Sequence, residues 1–405
     1  MSWQNTQWSK DNNGPLSGLK VLDLSRLVAG NMTSLQLADF GAAVTKIEPL
    51  PSGDPLRAWR QQGVSTFWKA YARNKQSLAL DFRAEGATAV LEKLIASTDI
   101  VIENFRPGTF EKMGFAPNDL LKRYPDLIIL RVSGFGQVGP YANRPGFGTL
   151  IEGMSGFAAR NGPAGGEPLL PPLALADMIT GLYGANAVSM ALHARNAGRG
   201  GQVIDLSLLD AMTSVLGPEA LDFSLSGKPK PRVGNGSNTS SPRNAYVTSD
   251  GHWIVVSGSM QSMAERLFRA IGREDMITDP RFAKNENRVA NRSEVDEIVG
   301  QWFACRSRDE VMGIMTEAGV TVAPLYDISD ITDDVHFVER GIYTQVPDEE
   351  LGQAAIHAPV PRLSKTPAGL RSAAPALGQH TDTVLADAGF EAEAIERLRA
   401  KGVVA

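Results

Sequence analysis

Short, uninterrupted apolar runs alternate with helical patterns through the first third of the chain. Residues 19–24 (LKVLDL), 43–47 (AVTKI), 99–102 (DIVI) and 127–132 (LIILRV) read as strands. They are continuously apolar rather than alternating, which fits a sheet covered on both faces. Between them, 34–39 fits a helix stopped near Gly41, and 84–97 fits another with Val90, Leu91, Leu94 and Ile95 on one face. Strands alternating with helices build βαβ units and a parallel sheet. The expected fold is α/β, with a large, doubly wound, Rossmann-like domain.

The composition changes after Leu216. Residues 224–243 (SLSGKPKPRVGNGSNTSSPR) are rich in Gly, Pro, Ser and Asn and read as a linker. Residues 245–248 and 253–257 then flank Ser249-Asp250-Gly251, a hairpin signal because Asp-Gly tolerates the positive φ of a tight turn. Helical patterns follow at 261–271, 293–303 and 307–317. This stretch reads as a smaller α+β domain. Beyond Asp330 the chain is again irregular, with five prolines from 347 to 375, before a last helix near 391–401. The domains expected are 1–222 (large), 223–244 (linker), 245–329 (small) and 330–405 (a return segment completing the large domain).

Several function classes are excluded early. With 40 Lys+Arg against 45 Asp+Glu and a net charge of −5, nothing indicates a nucleic-acid surface. Cys305 is the single cysteine, so an intrachain disulfide and a Cys-rich metal site are both out, and a reducing, cytoplasmic compartment is expected. The five histidines show no metal-ligand spacing, so no metal is expected. The polar start, 1–14, lacks the apolar stretch of a signal peptide. Residues 173–193 (LALADMITGLYGANAVSMALH) approach the ~20 residues a membrane span needs. They hold Gly181, Gly184, Asn186 and an acid, Asp177, which is costly in lipid. With a mean hydropathy of −0.14 for the chain, a buried core helix is expected there and no membrane.

Gly134-Phe135-Gly136-Gln137-Val138-Gly139 matches the dinucleotide spacing and follows a strand, but Pro140 and Pro145 come next and no helix pattern opens. The fingerprint needs a helix N-terminus for the pyrophosphate, so this is a Gly-rich loop. Asp177 stands out more. It is the only ionisable side chain between Glu167 and His193, at the start of an apolar helix. It reads either as a first-turn carboxylate stabilised by the helix N-terminus, or as a desolvated anion held by those N–H groups and able to act as nucleophile or base.

From about Leu16 to the end, the chain resembles the class III CoA-transferases, of the formyl-CoA transferase and carnitine-CoA transferase type. The stretches that carry the likeness are LSGLKVLDLSRLVAG (16–30), LADFGAAVTKIEP (37–49), GDPLR (53–57), NKQSLALDFR (74–83), DIVIENFRPG (99–108), SGFGQVGPY (133–141), LALADMITGLYG (173–184) and GRGGQVIDLSLLDA (198–211), with GQHT (378–381) near the end. Eight stretches in the family's order make the resemblance specific.

The resemblance implies that Asp177 is a nucleophile. It would attack an acyl-CoA thioester to give a mixed anhydride, then an aspartyl-CoA thioester, before an acceptor carboxylate attacks the acyl group or the aspartyl-CoA. Coenzyme A is then substrate, as acyl-CoA, and no cofactor is bound permanently. By alignment the CoA site takes Val28, Ala29, Leu80, Asp81, Arg83, Asn104, Phe105, Arg106 and Lys112. Arg57 serves CoA or pairs with Asp54. Gly234, Gly236 and Ser237 belong to a glycine loop that would close over the reacting centre and stabilise an oxyanion. Family members are interlocked homodimers, so a homodimer is expected. Formyl-CoA transferases have glutamine at Val28, arginine at Pro49 and four glycines at GNGSN, which points away from formyl-CoA and oxalate and towards other small acids, such as succinate. In 144–149 (RPGFGT), Phe147 stands where the family's racemases need a histidine, and Gly148 replaces an acid, leaving open space or backbone near the acyl group. An acyl-CoA racemase or epimerase and a non-catalytic acyl-CoA-binding protein on the same fold are the alternatives.

Overall fold

The computed structural model describes residues 2–405. They divide into two compact units: one of 2–155, 171–216 and 335–405, the other of 156–170 and 217–334. Residues 156–170 and 217–222, grouped with the large domain in the sequence reading, lie in the second unit. The Arg160–Glu219 ion pair and the Gly234 N–H donated to Gly162 O at 3.0 Å tie them there.

The first unit is built on six strands. They are β1 (Lys20–Asp23), β2 (Ala43–Pro49), β3 (Lys75–Leu80), β4 (Ile100–Glu103), β5 (Ile128–Ser133) and β6 (Gln202–Ser207). Their order is β3-β2-β1-β4-β5-β6, and every neighbouring pair is parallel. The centre is dry: Val21, Leu22, Ile100, Val101, Ile102 and Ile129 are all buried. Sequence pattern alone misses β3 and β6. Lys75 and Ser77 make β3 look like a loop, yet both are buried. The Lys75 ammonium donates to Asn31 O, Asn31 Oδ1 and Ser34 Oγ at 2.7–3.1 Å, which offsets the cost of burying it.

Helix α1 (Leu27–Asp39) leaves β1 directly and starts two turns earlier than its sequence pattern. Gly30, Asn31 and Thr33 hide those turns, being poor helix formers. Helix α2 (Ala87–Ala96) buries Val90, Leu91, Leu94 and Ile95 as its spacing predicts. Helix α3 (Gly148–Met154) and α4 (Leu175–Ala194) precede β6. Gly181 and Gly184 let α4 lie hard against α1: a Cβ on Gly181 would stand 2.5 Å from Met32 Cβ, and one on Gly184 2.5 Å from Thr33 Oγ1. Thr33 Oγ1 donates across the contact to Gly181 O at 3.1 Å.

Only that side of α4 is buried. Leu182, Tyr183 and Met190 are exposed, so the expected buried core helix is buried on one side alone. Among the described residues no helix is long and apolar enough to cross a membrane. The stretch read as irregular contains a hairpin, Tyr343–Asp348 with Gly352–His357, whose first strand includes Pro347.

The second unit carries β7 (Arg243–Val247) and β8 (Trp253–Ser257), antiparallel around Gly251 at φ +81°. Helices α5 (Gln261–Ala270), α6 (Arg292–Ala304) and α7 (Arg308–Glu317) follow, then β9 (Val322–Pro324) pairs antiparallel with β8. Phe268, Phe282, Phe303 and Met315 fill its core. Helix Glu219–Ser226 extends into the stretch read as linker.

Ile129, fully buried as the second residue of β5, tests where the stability of the first unit resides. Ile129→Ala is expected to cost about 2–5 kcal/mol. It should lower the urea midpoint of that unit's transition with its slope unchanged.

Candidate functional site

The strand order reverses between β1 and β4, and in open α/β sheets ligand crevices form outside the carboxyl ends of the strands at such a point. A cavity of about 350 Å³ lies there. Arg26, Leu27 and Ala29 line it from the end of β1 and the start of α1, and Asn104, Phe105 and Arg106 from the end of β4. The loop after β5 adds Gly134 and the stretch from Arg144 to Phe147. Asp177 completes the wall.

Asp177 is the third residue of α4 and half-buried. Its carboxylate accepts from the N–H of Ala29, at the start of α1, and from its own N–H. Two helix N-termini therefore face one carboxylate, which favours the anion. Burial works the other way, and so does the charge of Glu152; together they push the carboxyl up to about 6. The sequence reading of a desolvated anion held by N–H groups named these opposing forces, but not the charge of Glu152.

Glu152 is the residue that sequence reasoning missed. It is buried on α3, and its carboxylate accepts from the N–H of Ala176 at 3.2 Å, taking an unpaired donor of the first turn of α4. The cap comes from another helix, so Asp177 is left to face the cavity. The available signal was the one that marked Asp177: Glu152 is the only ionisable residue between Arg144 and Arg160. Gly148 does not leave open space. A Cβ there would stand 2.0 Å from Asp177 Oδ2, so the carboxylate occupies the room that the missing side chain provides.

The turn that presents Ala29 is held from below. Leu27 has φ +63°, a left-handed conformation costly for a branched side chain. Its N–H donates to Asp54 Oδ1 at 3.1 Å, and Asn31 Nδ2 donates to Asp54 Oδ2 at 2.9 Å. Lys46 Nζ stands 3.2 Å from both Asp54 and Asp23. Lys46 and the Leu56, Asn31 and Leu27 donors hold the Asp54 carboxyl below its ordinary range despite burial. Asn104 grips the backbone of Arg26 from both sides, accepting from its N–H at 2.9 Å and donating to its C=O at 2.8 Å.

The other aligned residues are scattered by comparison. Ala29, Asn104, Phe105 and Arg106 line the cavity. Val28 packs with Leu56, Trp68 and Ala72, and Leu80 is buried in the main core. Asp81 accepts from the N–H of Arg83, which is exposed, as is Lys112. Phe82 meets Phe105 edge-on at 6.2 Å, so the 80–83 turn reaches towards the cavity through an aromatic contact. Arg57 pairs with Glu48, at 2.7 and 2.8 Å, and stacks 3.8 Å over Trp68; its expected partner Asp54 pairs with Lys46 instead. In the second unit, Gly236 N–H is bonded to Val233 O at 3.0 Å, and Ser237 Oγ meets Thr239 Oγ1 at 3.0 Å. With Gly234 bonded to Gly162, two N–H groups of that loop already have internal acceptors.

A larger cleft, about 840 Å³, lies elsewhere in the first unit. Its arginines and lysine are engaged: Arg57 by Glu48, Arg60 by the carbonyls of Arg57 and Gly63, Lys69 by Asp348 and Glu350, and Arg371 by the carbonyls of Ala38, Gly41 and Ala42. His380 of GQHT accepts there from the N–H of Ser77 at 3.2 Å, a clamp on β3. No nucleophile faces a free cation in that cleft, so the smaller cavity is the chemical one.

Comparison with known proteins agrees with the geometry. The model of CoA-transferase family III matches residues 16–381. The chain is 35% identical over 394 residues to a succinyl-CoA–D-citramalate CoA-transferase of Chloroflexus aurantiacus, covering 96% of this chain and 98% of that protein. It is 34% identical over 396 residues to a succinate–glutarate CoA-transferase of Agrobacterium fabrum, covering 95% and 97%. A solved CAIB/BAIF family protein from Brucella suis shares the fold at a TM-score of 0.81 and 32% identity, over 93% of this chain and 100% of that one.

The raised pKa of Asp177 has a stability consequence. Its folded value of about 6 lies above the ordinary 3.8, so the native state loses stability as pH rises from about 4 to about 6. Asp177→Asn is expected to be more stable than the wild type by about 1–2 kcal/mol at pH 8, discounted for partial exposure. The two should converge near pH 4, as read by thermal unfolding.

Proposed function

The chain belongs to CoA-transferase family III, and we propose that it moves CoA from a small acyl-CoA to a free carboxylic acid through covalent intermediates on Asp177. The observation that carries this is the Asp177 carboxylate itself: half-buried, and on the wall of a cavity at the carboxyl end of the sheet. A carboxyl raised to about 6 is still ionised at neutral pH and is more nucleophilic than an ordinary aspartate.

An Asp177 oxygen attacks the thioester carbonyl carbon. CoA thiolate leaves, and a mixed anhydride remains. The thiolate then attacks the aspartyl carbonyl, releasing the donor acid and leaving an aspartyl-CoA thioester. The acceptor carboxylate attacks that carbonyl and expels the thiolate, forming a second anhydride. Thiolate attack on the acceptor acyl carbon yields the new acyl-CoA and frees Asp177. No net proton moves. Each step has a good leaving group, and holding the CoA nearby makes the returning thiolate effectively intramolecular. Anhydrides must be kept from water.

Ala29, Asn104, Phe105 and Arg106 form the CoA side, and Val28 supports Ala29 from the core. Asp81, Arg83 and Lys112 extend the surface towards the nucleotide, and buried Leu80 supports that turn from the core. No permanent cofactor enters the scheme. The β3-β2-β1-β4-β5-β6 order supports a Rossmann-like reading of the sheet. We take the enzyme to be a cytoplasmic, interlocked homodimer. Exposed Leu182, Tyr183 and Met190 on α4, with Leu150 and Met154 on α3, support a covered surface there. The names of the relatives, succinyl-CoA–D-citramalate and succinate–glutarate CoA-transferases, favour dicarboxylic acids as substrates.

Incubation with succinyl-CoA and quenching with hydroxylamine should mark Asp177 alone. Asp177→Ala should lose the mark and at least about 10³-fold in exchange rate. The rate of adduct formation should fall about tenfold per pH unit below about 6. An enzyme that exchanges CoA normally with Asp177 replaced would overturn the scheme.

A further inference from the structure

We propose that Arg144 is the specificity residue that grips the distal carboxylate of a dicarboxylic acyl group while Asp177 holds its reacting end. The inference rests on the reading of Asp177 given above and adds the residue that selects the acid. Its starting point is a contrast among arginines. Arg57, Arg73, Arg131 and Arg195 of the first unit are each paired with a carboxylate at 2.6–3.0 Å. Arg26, Arg106 and Arg144 form no ion pair among the described residues; several other arginines of the unit, such as Arg60, Arg83 and Arg371, form none either, but these three lie on the wall of the Asp177 cavity. A guanidinium presents a rigid fork of donors matched to a carboxylate or phosphate, and three such forks without a protein anion line one cavity.

The three are not equivalent. Arg26 and Arg106 flank Asn104 and Phe105 at the ends of β1 and β4, on the CoA side. Arg144 lies on the opposite loop, four residues before Gly148, the position whose Cβ would overlap Asp177 Oδ2. The chain thus runs from Arg144 to the glycine that abuts the nucleophile with only Pro145, Gly146 and Phe147 between. That loop is pinned. A Cβ on Gly146 would stand 2.7 Å from the Gly134 Cα, so the two backbones touch. The Arg144 N–H donates to Tyr141 O at 2.8 Å. Its guanidinium lies 3.7 Å from the Tyr141 ring centre, and Tyr141 meets Phe135 edge-on at 5.8 Å. A stacked guanidinium keeps its edge free for a carboxylate and has less freedom to lose on binding. The wall beside it, Pro145, Gly146 and Phe147, offers no side-chain acid.

An arginine in this place discriminates by charge. A monocarboxylic acyl chain would leave the guanidinium without a partner, whereas a four- or five-carbon diacid satisfies it. Full-length enzyme with Arg144→Met and Arg144→Lys should be assayed for CoA exchange with succinate and glutarate against acetate and butyrate, with the Kd of free CoA measured by calorimetry. The wild type should prefer the diacids. Arg144→Met should lose about 10- to 100-fold in kcat/KM for diacids. Its butyrate rate and its CoA affinity should be unchanged, and Arg144→Lys should recover part of the loss. Equal losses for every acid with weakened CoA binding would assign Arg144 to the CoA phosphates and overturn the proposal. So would a wild type indifferent to the second carboxylate. Failure of the underlying scheme would appear separately, as exchange that survives Asp177→Ala.

Discussion

The contact between α1 and α4 is the constraint on which the site depends. The two helices can approach only because Gly181 and Gly184 present no side chains to Met32 and Thr33. That approach brings the Ala29 N–H to the Asp177 carboxylate. A bulkier α4 would move the donor away and leave the acid facing an apolar wall. The start of α1 must also turn sharply at Leu27, in a conformation that costs energy. Asp54, Lys46, Asn31 and Asn104 hold that turn through hydrogen bonds and ion pairs buried beneath it. Packing places the donor, and the polar network keeps it aimed.

Buried charge in this unit is organised rather than scattered. Lys46 bridges Asp23 and Asp54, and Lys75 sits beneath them, its ammonium pulled down to about 7 by burial. Glu48 joins Arg57, Ser77 and the backbone of Asp54. Such networks add little net stability compared with apolar residues of the same volume. Their role here is geometric: they fix one turn in a high-energy shape. The same division appears at α4, where the acid that caps the helix is not the acid that faces the ligand.

The readable parts of the sequence were those dominated by one physical signal. Apolar runs gave β1, β2, β4 and β5, because a strand buried on both faces has no alternative pattern. The amphipathic helices α2, α5, α6 and α7 and the Asp250-Gly251 turn were equally legible, being local. What stayed hidden depends on distant partners. Lys75 reads as a loop residue until Asn31 and Ser34 are seen around it. The first turns of α1 read as non-helical until α4 is packed against them. Asp177 was visible as a lone acid, and its likeness to a known family gave it a role. Its relation to Glu152, Ala29 and Gly148 was not visible, because these residues come from two other helices, α3 and α1, distant in sequence.

The capping of α4 by Glu152 has a dynamic meaning. During the proposed cycle Asp177 alternates between an ion, an anhydride and a thioester, so its negative charge vanishes and returns with each turnover. A helix resting on that charge would be loosened and retightened every time. Because the Ala176 N–H rests on a carboxylate that never reacts, the start of α4 keeps one fixed acceptor while the bonds that Asp177 takes from its own N–H and that of Ala29 come and go.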